Sequence, residues 1–421
     1  MTQPDLPIPP AAKLHRRLGL TLVVLYGLGV TIGAGIYVLI GATAARAGVH
    51  APMAFLLAAC VMGFSAASFA EFVCRFPVSA GEAAYVRAGF RSELAALLVG
   101  IGVMLAGTVS SATISIGSAG YIGAFLDPLL AVDRVWLTVA IVVAVGLVAC
   151  VGILESVAFA GLMTLVEVAG LLAIVIGGLV GAPELLLRLP EVLPWSLDGA
   201  VWAGIVGAGL LAFFAFIGFE DMVNVAEEVR TPERTMPRAI LITLVAATGL
   251  YFLVAAISVL AVPPAALGAS PAPLGLVFAA VTPLSPLTIT IVAAVATVNG
   301  IIIQVIMAAR VLYGLADQGT IPGAAGRVLA SVYARTGTPV VATAVVTLAV
   351  ALLAVSFPIE RLAGLTSQVV LVIFVLVNIA LVLVKWRERG ALDLPAAGFR
   401  VPFWVPVIGA GVSLAFVIGG S

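Results

Sequence analysis

The chain has 421 residues, of which 63% are hydrophobic and 10% charged; its formal net charge is zero and its mean hydropathy +1.26. A soluble domain carries about 25% charged residues, so this composition excludes one, and the balanced charge offers no electrostatic case for nucleic acid as a partner. Cys60, Cys74 and Cys150 form no CxxC pair and fall in or beside apolar runs, so they read as small buried hydrophobes and not as a disulfide framework or metal site.

Residues 1–17, MTQPDLPIPPAAKLHRR, are polar and proline-rich and read as a cytoplasmic tail. The apolar run that follows is too long for a signal-peptide core and is expected to be retained as the first span. About 30 Å of hydrocarbon needs roughly 20 apolar residues per crossing. On that basis about eleven spans are predicted, near residues 18–41, 51–73, 94–125, 133–153, 157–181, 199–226, 238–261, 284–314, 338–356, 362–385 and 401–420. The third and eighth are long enough to be strongly tilted or to extend beyond the bilayer.

The first span reads LYGLGVTIGAGIYV, with Gly27, Gly29, Gly33 and Gly35 within ten residues. Each interior glycine costs a helix about 1 kcal/mol relative to alanine, so the cluster invites unwinding. Unwound backbone at membrane depth must be buried or line a cavity. The amides of Gly33, Ala34 and Gly35 then open a half-helix whose positive end suits a carboxylate. Close helix packing through the Gly29–Gly33 GxxxG pair is the competing reading. A dinucleotide fingerprint is excluded, because Ile32 stands where its third glycine belongs and no strand precedes it.

The third span offers Thr108, Ser110, Ser111, Thr113 and Ser115; most are expected to bond helix carbonyls, with one or two in a pocket. In the fifth, Glu167 is apolar-flanked within AGLMTLVEVAGLLAIVIGGLV. A carboxylate at mid-membrane is costly and calls for a function or a partner. Glu167 reads either as a group that loads and releases a proton or as an acid bonding a neighbouring helix.

The sixth span, LLAFFAFIGFEDMVNVAEEVRTPERTMPRAI, has Gly218 at mid-span followed at once by Glu220 and Asp221. Acidic side chains within a bilayer usually face a cavity. Breaks at corresponding places in two halves of a chain point to an inverted-repeat transporter with its site at the midplane. In the eighth span, Thr297 and Asn299 precede an aliphatic run interrupted by Gln304. Asn299 reads as a packing residue or a pocket residue.

Sixteen of the twenty Lys and Arg residues fall on one side of this scheme, the other side holding only Arg46, Arg134, Arg188 and Arg361. The bias places the N-terminus in the cytoplasm of an inner or plasma membrane, and the odd span number then puts the C-terminus outside. Charges at the cytoplasmic turns, including Glu71, Arg75, Glu82, Arg87, Glu227, Glu228, Arg230 and Arg234, read as solvated loops or as an inner-gate network.

Four segments resemble the amino acid–polyamine–organocation superfamily of permeases: GLGVTIGAGIYV, FPVSAGEAAYV, FFAFIGFEDMVNVAEEVRTPERTMPRAI and NGIIIQVIMAARVLYGLADQGTIP. The resemblance implies an all-α, LeuT-like fold of two five-helix inverted repeats, about 18–181 and 199–385, with an additional helix at about 401–420 in a single domain spanning 18–420. It also implies that a substrate carboxylate binds the amides of Ile32, Gly33, Ala34 and Gly35. The substrate amine is then held by carbonyls of Phe214, Ala215 and Ile217 at the Gly218 break, with Phe214 and Phe216 walling or gating the pocket. Glu167 resembles a position that in proton-coupled relatives carries a lysine in the place of a sodium ion. Ser110, Ser111, Glu220, Asp221 and Asn299 are further candidates for the pocket or gate, and Glu220 or Asp221 for meeting a cationic side chain.

The expected function is amino acid transport by alternating access, with proton symport favoured because no close hydroxyl pair for sodium is evident in the eighth span. Exchange, or transport of amines or polyamines, are the alternatives. The expected partners are an amino acid, protons and membrane lipid, with no cofactor or metal. His15 and His50 are the only histidines, and no HExxH, GxSxG or Walker-type segment occurs, so an enzyme is not expected. A channel is disfavoured by the lack of a filter-like segment.

Overall fold

The computed structural model describes residues 18–77, 81–126, 132–151, 157–195, 198–319, 321–389 and 398–419, apart from the side chains of 157–160 and 224. The tail 1–17, with Lys13, Arg16 and Arg17, lies outside them. The described residues form helices and no sheet. In chain order the helices are α1 (Leu20–Ile32), α2 (Ala34–Ala47), α3 (Ala51–Arg75), α4 (Gly81–Phe90), α5 (Glu93–Leu126) and α6 (Arg134–Val151). Next come α7 (Val157–Gly181), α8 (Glu184–Arg188), α9 (Gly199–Phe214), α10 (Pro232–Ala261), α11 (Pro264–Ala269) and α12 (Pro273–Val281). The last are α13 (Leu287–Asp317), α14 (Gly323–Leu329), α15 (Val340–Ser356), α16 (Ile359–Glu388) and α17 (Trp404–Gly419).

Among the described residues the predicted spans lie largely on helix, the first and sixth with a break. Eight segments of the described residues are long and apolar enough to cross a membrane, and α15 and α17 are shorter apolar helices. The two spans predicted to be long are α5, of 34 residues, and α13, of 31, which pack along each other. Their length exceeds the roughly 20 residues a crossing needs. Outward faces are apolar: Val143 and Leu147 on α6, and Leu348 and Leu352 on α15, are exposed. In hydrocarbon such surface carries no hydrophobic penalty, and association rests on close packing and internal hydrogen bonds.

The first and sixth spans are both interrupted. Helix α1 ends at Ile32 and α2 begins at Ala34, with Gly33 between them at φ −44° and ψ −146°. Helix α9 ends at Phe214; the chain then tightens through i→i−3 bonds from the amides of Ala215, Phe216 and Ile217 (3.1, 2.9 and 3.2 Å). Gly218 turns the backbone at φ 115°, and a 3₁₀ stretch follows over Phe219–Glu228. Ten residues of 3₁₀ is unusually long, and such stretches mark hinges or strained sequence.

The two broken spans approach closely in two places. A Cβ on Gly35 would lie 2.5 Å from Ala215 Cα, and one on Gly218 would lie 2.2 Å from the Val30 carbonyl oxygen. Just before the first span and at the close of the sixth, Leu18 N–H donates to Glu228 O (2.9 Å) and Arg230 N–H to Leu18 O (3.1 Å). An aromatic cluster of Phe69, Phe213, Phe219 and Phe374, with centroids 5.4–6.0 Å apart and rings edge-on, packs α3, α9, the 3₁₀ stretch and α16 together.

Glu71 and Arg75 are not solvated loop charges. Glu71 is fully buried on α3, where it accepts from Arg75 Nε (2.9 Å), Lys385 Nζ (2.7 Å) and the Val401 amide (2.8 Å). Arg75 also reaches Glu388 at 2.5 Å. Buried charge is tolerable only when paired and hydrogen-bonded, and this knot meets that condition while fastening α3 to α16 and to the segment leading into α17.

Candidate functional site

The two helix breaks line one narrow cavity. Gly33, Ala34 and Gly35 line one side with Gly29, Val30 and Thr31; Phe214, Ala215 and Ile217 line another with Asp221. Ser110 and Ile114 of α5, and Asn299, Gly300, Ile303 and Gln304 of α13, close it. The position of each wall follows from local sequence. Glycines end one helix and let the next begin, so amides are freed toward the cavity. The bend at Gly218 leaves the carbonyls of the preceding turn without ordinary helical partners.

Of the five α5 hydroxyls singled out in the sequence, four bond to the carbonyl one turn back: Thr108 to Met104, Ser111 to Gly107, Thr113 to Val109 and Ser115 to Ser111, at 2.7–3.0 Å. Ser110 makes no such bond, is 3% exposed, and faces the cavity. Asn299 and Gln304 likewise line it. A neutral hydroxyl and two amides offer both donors and acceptors to a bound molecule.

Through Ile217, Asp221 and Gln304 this cavity adjoins a second, whose wall includes Glu82, Glu220, Val103, Met307 and Phe374. Glu82, Asp221, Val103 and Met307 in turn border a wider, open cleft between α4, the start of α5 and the end of α13. Asp221 borders all three spaces. Arg87 and Glu93, paired at 2.9 Å, stand in the cleft. The site therefore has a stepped route to the face that carries Arg87, and among the described residues no Lys, Arg or His lines the two inner cavities. Burial, reinforced by Asp221, raises the Glu82 carboxyl to about 8.

Not every expected site residue touches the cavity between the breaks. Ile32 is the last residue of α1 and its side chain is in the core. Phe216 is fully buried and packs edge-on against Tyr251 at 5.0 Å. Gly218 forms the turn behind the wall. Ser111 bonds within its own helix. Glu220 accepts a hydrogen bond from the Gly218 amide (2.9 Å), steadying the turn, and faces the second cavity. Glu167 is 1% exposed on α7, outside the cavity. Its carbonyl accepts from Tyr37 Oη at 2.6 Å. Thr164, one turn earlier, presses on Gly29, where a Cβ would lie 2.1 Å from its Oγ1. Glu167 thus stands behind the first break.

One contact was not foreseen in the sequence. The hydroxyl of Tyr251, on the unbroken helix α10, donates toward both Thr31 O (2.7 Å) and Ala215 O (2.9 Å). Each carbonyl belongs to a different broken span.

A bundle of apolar helices with two interrupted spans around a central cavity is the architecture of a multi-pass membrane transporter. The fold is similar to that of a solved Na⁺-coupled sialic acid symporter, with a TM-score of 0.58 and 13% identity over 96% of this chain and 89% of that one. Residues 18–419 match the amino acid permease family model, and the chain belongs to that family. It is 30% identical to the branched-chain amino acid permease BcaP of Bacillus subtilis, over 96% of this chain and 87% of that protein. It is 29% identical to the vacuolar cationic amino acid transporter 2 of Arabidopsis thaliana, over 91% of this chain but only 62% of that longer protein.

Proposed function

We propose that the protein carries amino acids across an inner or plasma membrane by alternating access, driven by protons, with its N-terminus in the cytoplasm. The observation that carries this reading is the joint lining of one cavity by Gly33, Ala34 and Gly35 from the first break and by Phe214, Ala215 and Ile217 from the sixth. Amides at a half-helix start suit a carboxylate, and carbonyls at the other break suit an ammonium. A zwitterionic backbone spans the two. Membership of the amino acid permease family and the named activities of BcaP and the cationic transporter support the same substrate class.

In this account Ser110, Asn299 and Gln304 meet the substrate, and Glu167 takes up and releases the coupling proton behind the first break. The stepped cavities lead toward the cytoplasm. Residues 18–181 and 199–385 act as the two repeats whose relative motion exchanges access between the membrane faces.

A second reading, transport of amines, is favoured by one observation: Glu82, Glu220 and Asp221 line the adjoining cavity, and among the described residues no basic one does. Competition separates the two. Uptake of a radiolabelled amino acid into proteoliposomes is expected to be inhibited by other amino acids and unaffected by the corresponding decarboxylated amine. Uptake of the amine itself, with no response to amino acids, would replace the first reading with the second.

A further inference from the structure

We propose, on the footing of the amino acid reading, that the narrow cavity beside the one between the breaks is a side-chain subsite. The preferred substrate is then an amino acid whose linear side chain ends in a cation, as in lysine or ornithine, and Asp221, Glu82 and Glu220 are the residues that select it. The two inner cavities meet through Ile217, Asp221 and Gln304. The backbone of the two breaks lines one of them, and the three carboxyl groups line the other. A molecule held by both carries a zwitterion at one end, an apolar stem, and a second positive group beyond the stem.

The carboxyl groups come from two elements, Glu82 from the start of α4 and Glu220 and Asp221 from the 3₁₀ stretch. Like charges in one low-dielectric space repel, and among the described residues no Lys, Arg or His lines that space. Glu220 accepts from the Gly218 amide (2.9 Å). Glu82 is 7% exposed, and among the described residues its carboxyl has no ion pair and no hydrogen bond beyond its own amide. A buried polar group in that condition is costly until a donor reaches it. Independently of the acids, the Ser110 hydroxyl at the other end has no partner among the described residues and faces the cavity between the breaks. Each compartment thus offers an unused polar group to one bound molecule. Between them Gly107 keeps the passage clear: a Cβ there would lie 2.7 Å from Met307 Cε and 3.2 Å from Gln304 Oε1. So narrow a passage favours an unbranched methylene chain, and Val103, Met307 and Phe374 give it apolar walls. An ammonium at its tip has three donors for the surrounding carboxyl oxygens.

The test titrates purified full-length protein in detergent with lysine, norleucine, leucine or cadaverine and follows thermal unfolding, since a ligand that binds only the folded form raises the midpoint. Norleucine keeps the backbone and stem of lysine without its cation; cadaverine keeps the stem and cation without the carboxylate. Lysine is expected to act at a concentration at least about tenfold lower than norleucine or leucine, the difference that one charge-assisted hydrogen bond makes. Glu82→Gln and Asp221→Asn are each expected to weaken lysine about tenfold and to leave norleucine unchanged. A merely structural role would weaken both ligands alike. Norleucine or leucine acting at the concentration of lysine overturns the subsite and leaves the amino acid reading intact. A lysine preference that both variants keep in full overturns it too, as does the absence of any response to lysine. Cadaverine acting where neither lysine nor norleucine does would instead overturn the amino acid reading, and the subsite with it.

Discussion

At the residue scale, neighbouring hydroxyls on α5 divide into different tasks because helix rotation alone decides what each one faces. Ser111 spends its proton on the Gly107 carbonyl, whereas Ser110 keeps its hydrogen-bonding capacity for the cavity. Loss of one neutral hydrogen bond costs about 0.5–1.5 kcal/mol. Ser110→Ala is accordingly expected to raise the KM for transport by about two- to tenfold with the unfolding temperature unchanged, and Ser111→Ala to leave KM alone. Equal KM values for the two variants would remove Ser110 from the site. Glu82 makes a second prediction. Its carboxyl is held at about 8, by burial first and by Asp221 second. The folded form thus binds this proton more tightly than the unfolded form, whose carboxyl titrates near 4.3. The stability contributed is complete below the unfolded value and is lost as pH rises through about 8. Thermal unfolding scanned from pH 6 to 9 should show a falling midpoint that flattens in Glu82→Gln, and an unaltered slope in the variant would contradict the assignment.

At the scale of elements, the breaks are the fold's defining feature and also its most constrained contacts. Gly35 sits where a Cβ would come within 2.5 Å of Ala215 Cα, while nothing lies within 4 Å of the Cβ position of Gly249 in α10. Gly35→Ala is expected to cost about 1–3 kcal/mol by overpacking and to reduce transport at least tenfold. Gly249→Ala should be neutral or stabilising by up to about 1 kcal/mol. Unfolding midpoints and uptake rates of the two variants check this directly. The same elements show why some of the architecture was legible in sequence and some was not. Glycine clusters and mid-span acids violate the rules of apolar helices, so Gly33, Gly218, Glu220 and Asp221 announced both breaks. Span positions followed from run length. Tyr251, by contrast, is an aromatic residue in an apolar run, TGLYFLV, and nothing in that pattern separates a core residue from one whose hydroxyl bridges two distant carbonyls. Glu71 and Arg75 looked like solvated end charges because their partners, Lys385 and Glu388, lie more than three hundred residues away. Long-range pairing of this kind leaves no local trace.

At the scale of the whole molecule, the cavity between the breaks, the carboxylate-lined cavity beside it and the open cleft form a sequence of spaces joined by Asp221. The arrangement supplies a central site reached in steps from the face carrying Arg87. Around it, α5 and α13 pack along each other as long unbroken helices, while the segments at Gly33 and Gly218 provide points of bending. Alternating access requires two states separated by only a few kcal/mol. The buried knot around Glu71 and the clasp at Tyr251 are contacts that any second state must keep or exchange. Glu167 stands apart from the cavity, against the back of the first break, with its carbonyl bonded to the Tyr37 hydroxyl.

The central claim, proton-driven transport of amino acids, is tested most directly by uptake of a panel of radiolabelled amino acids into proteoliposomes with and without an inward proton gradient. Saturable uptake is expected that rises with the gradient and loses its gradient response in Glu167→Gln, while exchange of internal for external amino acid persists in the variant. Uptake that occurs only against unlabelled amino acid in the lumen, with no effect of the gradient on wild type, would contradict proton coupling and make the protein an exchanger.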